Sequence, residues 1–203
     1  MEHIDLSQLR KISPAISLDT KAAMIGKAYK WICPTLLVHK NIQKSPDDFA
    51  QQKHYEQYVD KVTKKFWKQR LREGTSEYAL QQKLAKIMFD TGARFLAGTD
   101  CLNPYVLPGF SIHEELEELV SIGLSEFEAL KTSTVNAAEF LKRNTDNGTV
   151  EAGKVADLVL LEGNPLENIS NTRKISGVML KGKWLSAGQL DTILSDVKTK
   201  YTD

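Results

Sequence analysis

Asp100 closes the stretch Arg94–Cys101, in which a short apolar run rises to Gly98, Thr99 and one acid before the chain breaks at Asn103-Pro104. Strands of parallel α/β folds end this way, with the last side chain aimed into a crevice above the sheet. Asp100 is therefore the first candidate for chemistry, set against the commoner role of an aspartate at a strand end, which is to form a turn. The other strand ends offer His3 and Thr35. Four histidines are present, His3, His39, His54 and His113, and no two are spaced His-x-His. Cys33 and Cys101 have no CxxC spacing, so neither a disulfide framework nor a zinc knuckle is expected, only buried free thiols in a reducing compartment.

The elements that must position these residues follow from periodicity and punctuation. Leu18, Ala22, Ile25 and Tyr29 share one helical face within 17–30, and 31–38 reads as a strand apolar on both faces, with Pro34 near its end. Ser45-Pro46-Asp47 opens a long charged helix over 49–72, with Tyr55, Val59, Val62 and Phe66 as its stripe. As a lid or partner-binding helix it would be functional; a solvated surface helix with one buried face is the plainer reading. A helix over 77–91, stopped by Gly92, feeds the strand 94–97. Three helical pieces follow, over 113–122, from the capping box Ser125-x-x-Glu128, and over 134–142. From about residue 147 the pattern turns to short strands, one flanked by turns near 147–154, a clear one over 156–162, and a hairpin at Lys181-Gly182, before a helix over 189–201.

Strand and helix alternate in the first part, which predicts a parallel sheet in an open or barrel arrangement with its functional face at the strands' carboxyl ends. At 203 residues, 41% hydrophobic and with a net charge of +1, the chain can bury a core. It shows no basic stripe for nucleic acid, no apolar run near ~18 residues for a membrane and no signal-peptide pattern at Met1. A cytoplasmic protein is expected.

The stretch from Gly148 to Leu160, Gly-Thr-Val-Glu-Ala-Gly-Lys-Val-Ala-Asp-Leu-Val-Leu, resembles the C-terminal signature of the amidohydrolase superfamily. Leu96-Ala97-Gly98-Thr99-Asp100 resembles the end of that family's eighth barrel strand. Ser111-Ile112-His113-Glu114-Glu115-Leu116 and Gly123-Leu124-Ser125 resemble its following helices. Cys33-Pro34-Thr35-Leu36 is similar to the seventh strand of the imidazolonepropionase-like branch, and Glu2-His3-Ile4 to the end of the sixth.

The resemblance implies an α/β chain comprising the C-terminal part of a (β/α)8 TIM-like barrel over 1–146, part of a small β-sandwich over 147–188 and a terminal helix over 189–203. It implies one or two divalent metal ions, usually zinc, with Asp100 as ligand and proton shuttle and His3 as a second ligand. Thr35 and His113 would face a small-molecule substrate, although His113 reads equally as an ordinary residue of a helix start. The activity implied is metal-dependent hydrolysis of carbon–nitrogen bonds other than ordinary peptide bonds, as in cyclic amides or dipeptide-like substrates. The family's His-x-His pair and its first five strands have no counterpart here, and such a barrel takes ~250 residues. The chain is therefore expected to be a C-terminal portion incomplete for catalysis. The alternative is a non-catalytic module that self-associates, or pairs with an N-terminal half, through unpaired barrel edges.

Overall fold

The computed structural model of the protein describes residues 9, 13–49, 52–71 and 77–202. His3 lies outside them, as does the strand scrap read at its position.

Helix α1 (Leu18–Ala28) starts at Ser17, whose hydroxyl accepts from the Thr20 N–H, and leads into β1 (Trp31–Ile32). Helix α4 (Glu77–Asp90) runs along α1 and ends at Gly92, with φ +109°. It feeds β2 (Arg94–Phe95), which lies parallel to β1 with Trp31 opposite Arg94 and Ile32 opposite Phe95. The ladder continues one step, from the Leu96 N–H to the Ile32 carbonyl at 2.9 Å.

Two expectations fail here for physical reasons. The strand expected over 31–38 stops at Ile32, and Leu36–Ile42 forms helix α2. An apolar run such as Leu36-Leu37-Val38 serves a buried helix as well as a strand. Pro34 has no N–H for a ladder, Thr35 turns the chain at φ +48°, and the carboxylate of Glu115 accepts the first helical N–H groups. The long helix expected over 49–72 is instead two 3-10 turns, Pro46–Phe49 and Lys53–Tyr58, followed by helix α3 (Lys61–Arg70). Asp60 breaks the run in extended conformation and caps α3, accepting from the Thr63 N–H at 2.7 Å. Tyr55 and Val59 are buried as expected, but Val62 and Phe66 face solvent and Trp67 takes the inward position.

Helix α5 (Ser111–Ser121) is followed by α6 (Glu126–Ser133), which opens on the Ser125–Glu128 capping box, and by α7 (Val135–Phe140). The antiparallel sheet β3-β4-β5 consists of Leu158–Leu161, Ile175–Leu180 and Lys183–Ser186. A 3-10 turn at Ile169–Arg173 packs on α5, and α8 (Ala187–Thr202) closes the chain. Residues 149–150 form no strand.

The main core joins both parallel strands to α1, α4, α5 and α6 through Ala22, Ile32, Leu84, Phe95, Leu119 and Ala129. A second core of Phe49, Tyr55, Val59, Trp67, Tyr105 and Leu107 seats the 46–70 segment on the loop after β2. The segment thus packs over one side of that loop. Among the described residues no helix is long and apolar enough to cross a membrane.

Candidate functional site

The carboxyl ends of β1 and β2 both turn through left-handed backbone, Thr35 at φ +48° and Asp100 at φ +49°. Leu102 and Tyr105, in the loop just beyond, share that conformation at +76° and +55°. Such residues cost of order 1–3 kcal/mol each and persist only where their surroundings impose them. Here the surroundings are visible. Tyr105 stacks on Phe49 with ring centroids 3.9 Å apart and donates its hydroxyl to Glu56 at 2.7 Å. Trp67 donates its indole N–H to the Leu102 carbonyl at 3.0 Å.

Asp100 is exposed, and one edge of it is held. The Asn103 amide donates to Asp100 Oδ2 at 2.9 Å and to the Asp100 carbonyl at 3.0 Å. Arg70 on α3 donates to Asn103 Oδ1 at 3.2 Å, which fixes the amide with its N–H edge toward Asp100. A charged helix far away in sequence thus orients the strand-end acid.

Below Asp100 the shelf is polar and buried. Ser111 donates to the Leu107 carbonyl at 2.7 Å and lies 3.1 Å from the Thr99 hydroxyl. Cys33 packs against Gly98 closely enough that a Cβ at position 98 would overlap its sulfur. Burial first, then the Glu115 and Asp100 charges, push the Cys33 thiol up to about 12. It therefore stays protonated at neutral pH, and no free thiolate nucleophile is available there. Cys101, expected to be buried, is exposed.

Glu115 is fully buried and accepts from the Leu36 N–H at 3.0 Å and the Leu37 N–H at 2.9 Å. These bonds favour its charged form, but desolvation outweighs them and pushes its carboxyl up to about 7. By capping α2, Glu115 holds the Thr35 turn at the end of β1.

The structure brings Asp100, Thr35 and Cys33 together at the strand ends, since Cys33 accepts from the Thr35 N–H and feels the Asp100 charge. His113 sits elsewhere. Its Nδ1 is 3.0 Å from the Thr172 hydroxyl, which itself donates to the Ile169 carbonyl at 2.8 Å. The hydroxyl therefore accepts, and His113 is the Nδ1–H tautomer. Burial and the nearby Arg173 charge hold its pKa below the ordinary value. It lines an apolar cleft of about 560 Å3 between the helices and β3, with Leu116, Leu130 and Leu158. Neither Asp100 nor Thr35 lines that cleft. His54 is exposed on a 3-10 turn, and His39 lies on α2.

Asn103, Arg70 and Glu115 were not candidates from sequence. Asn103 carried a usable signal, an amide three residues after an aspartate in a turn-rich stretch. Arg70 carried none. As a metal site, the described residues supply one suitable donor, the Asp100 carboxylate, and no group of three or more His, Cys, Asp or Glu able to hold an ion. They do not by themselves fit the three protein ligands usual for a catalytic zinc.

Parallel strands with strained carboxyl ends, helices packed on them and an appended antiparallel sheet define a mixed α/β protein whose candidate chemistry sits at strand termini. The profile of the "Amidohydrolase family" matches residues 57–185, and the chain belongs to that family. Its members generally use divalent metals. The imidazolonepropionase of Geobacillus sp. (strain WCH70) is 37% identical over 79 residues, 38% of this chain and 18% of that enzyme. Among solved structures, bottromycin amidohydrolase is similar with a TM-score of 0.66 and 25% identity, over 94% of this chain and 46% of that one. A Xaa-Pro dipeptidase shares the fold with a TM-score of 0.59 and 19% identity, over 84% of this chain and 37% of that one. The chain spans less than half the length of each of these relatives.

Proposed function

We propose that the chain carries the strand-end half of a metal-dependent hydrolase site acting on carbon–nitrogen bonds, in cyclic amides or dipeptide-like substrates. Asp100 supplies a carboxylate toward one or two divalent ions, zinc in the first instance, and takes and returns a proton at Oδ1 while Asn103 holds Oδ2. Such an ion supplies water of lowered pKa when bound. Thr35 faces the substrate from the neighbouring strand end, and His3 is the second ligand on this chain. His113 instead ties α5 to the Ile169–Arg173 turn through its bond to Thr172. The observation that carries this reading is the pair of left-handed strand ends, Thr35 and Asp100, with an exposed carboxylate clasped on one edge only. The remaining ligands come from outside the described residues.

Zinc titration of the 203-residue chain by calorimetry, with Asp100→Asn alongside, tests the reading. Weak zinc binding that Asp100→Asn weakens further is expected, with amide hydrolysis appearing once a polypeptide supplying a His-x-His pair is added. Zinc binding indifferent to Asp100→Asn would overturn it.

A second reading is an interaction module without catalysis. It is favoured by β1 and β2, which pair only with each other among the described residues and leave both outer edges without a strand. Light scattering decides it: a monodisperse monomer across the micromolar range excludes pairing through those edges with a second copy.

A further inference from the structure

One residue back from Glu115, helix α5 forms the wall of a different cavity. This polar space of about 400 Å3 lies between α5, α2 and the Arg173 turn, with Gln52 and Tyr55 along one side. It brings together three cations and three carboxylates, and most of these charges are already matched. Lys40 pairs with Glu118, which also accepts from the Tyr78 hydroxyl. Arg173 grips Glu117 with two bonds, 3.0 and 3.1 Å. Two charges remain. Among the described residues, Glu114 Oε2 is buried with no hydrogen-bond partner, and Oε1 has only the Tyr55 hydroxyl at 3.5 Å. The Lys44 ammonium lies 5.0 Å over the Phe49 ring and makes no ion pair among the described residues.

A buried carboxylate oxygen with no hydrogen bond is costly and uncommon in native proteins, and it asks for a donor that the described residues do not supply. We propose that this cavity binds a small zwitterion of the α-amino acid or dipeptide type, its ammonium on Glu114 Oε2 and its carboxylate on Lys44. The size suits it, because small-molecule sites run from roughly 300 to 1,000 Å3. The charge pattern also selects it. A simple anion would leave Glu114 Oε2 without a donor, and a simple cation would leave Lys44 without an acceptor in contact, whereas a zwitterion meets both ends and adds no net charge to a wall already balanced three against three. Burial raises the Glu114 pKa and lowers that of Lys44, and the opposite charges around the cavity offset this only in part, so each gains from a partner in direct contact. The site does not depend on Asp100, and a metal is not required.

Calorimetric titration of the full chain with L-alanine and glycylglycine, and with acetate and methylammonium as single-charge halves, tests the proposal. Saturable one-to-one binding of at least one zwitterion is expected, at least tenfold tighter than either half. Glu114→Gln and Lys44→Met should each weaken it tenfold or more, while Asp100→Asn leaves it unchanged. Circular dichroism and urea midpoints matched to the parent show that the variants fold; if Lys44→Met does not, Lys44→Gln replaces it. Absence of binding, acetate binding as tightly as alanine, or affinity unchanged in Glu114→Gln would each overturn the proposal and assign the cavity to water.

Discussion

Asn103 donates its side-chain amide to Asp100 Oδ2 at 2.9 Å, and it can do so in only one orientation because Arg70 occupies its carbonyl oxygen. Asn103→Leu should release the acid and leave the Arg70 guanidinium without its acceptor, at a cost of about 1–2 kcal/mol. Arg70→Met should lose less than that, and the double variant little more than Asn103→Leu alone, because the bonds form one chain. Urea unfolding of the four proteins measures this; strict additivity would show that the two contacts are independent.

Glu115 gives the protein a pH dependence of defined sign. Its carboxyl is raised from 4.5 to about 7 in the folded protein, so the native state holds its proton more tightly than the unfolded chain does. Its contribution is fully present below pH 4.5 and is lost as pH rises through about 7, for a total of about 3 kcal/mol at 1.36 kcal/mol per pK unit. Glu115→Gln should flatten this slope. It should also lower stability at the acid end, where the parent keeps its full contribution, since an amide offers one acceptor oxygen to two backbone donors. Urea midpoints of both proteins from pH 4.5 to 8 check it.

Gly98 and Cys33 form a steric pair. Gly98→Ala places a methyl group on the Cys33 sulfur and should cost about 1–3 kcal/mol. Adding Cys33→Ala should recover much of that loss although it is mildly destabilising alone, and a double-mutant cycle on thermal denaturation detects the coupling.

The β4–β5 hairpin turns through Lys181 at φ +49° and Gly182 at φ +79°, with the Lys181 N–H held by Asp157 at 2.7 Å. Lysine is strained there, and asparagine is not. Lys181→Asn should stabilise the protein by about 0.5–1 kcal/mol, read as a raised urea midpoint, and Gly182→Ala should destabilise it.

Local information was strong wherever one residue type suits one backbone state. Ser125 with Glu128, Gly92 and the Lys181-Gly182 turn marked their element ends in the sequence, and each stands where it was read. The family, too, was legible, because glycines, prolines and an acid at set spacings recur from Leu96 to Pro165 and the family profile covers that span. Other features depended on residues distant in the chain. Leu36–Val38 carries no periodicity that separates strand from helix, and the choice was made by Glu115, 79 positions on from Leu36, offering a carboxylate to the first helical N–H groups. The broken course of 46–70 follows from docking Phe49, Tyr55 and Trp67 onto the loop around Tyr105. Asp100 could be singled out from its own neighbourhood as the acid at a strand end. That it is exposed, left-handed and clasped by an amide oriented from another helix was decided by tertiary packing, because the groups imposing that geometry meet only in the folded chain.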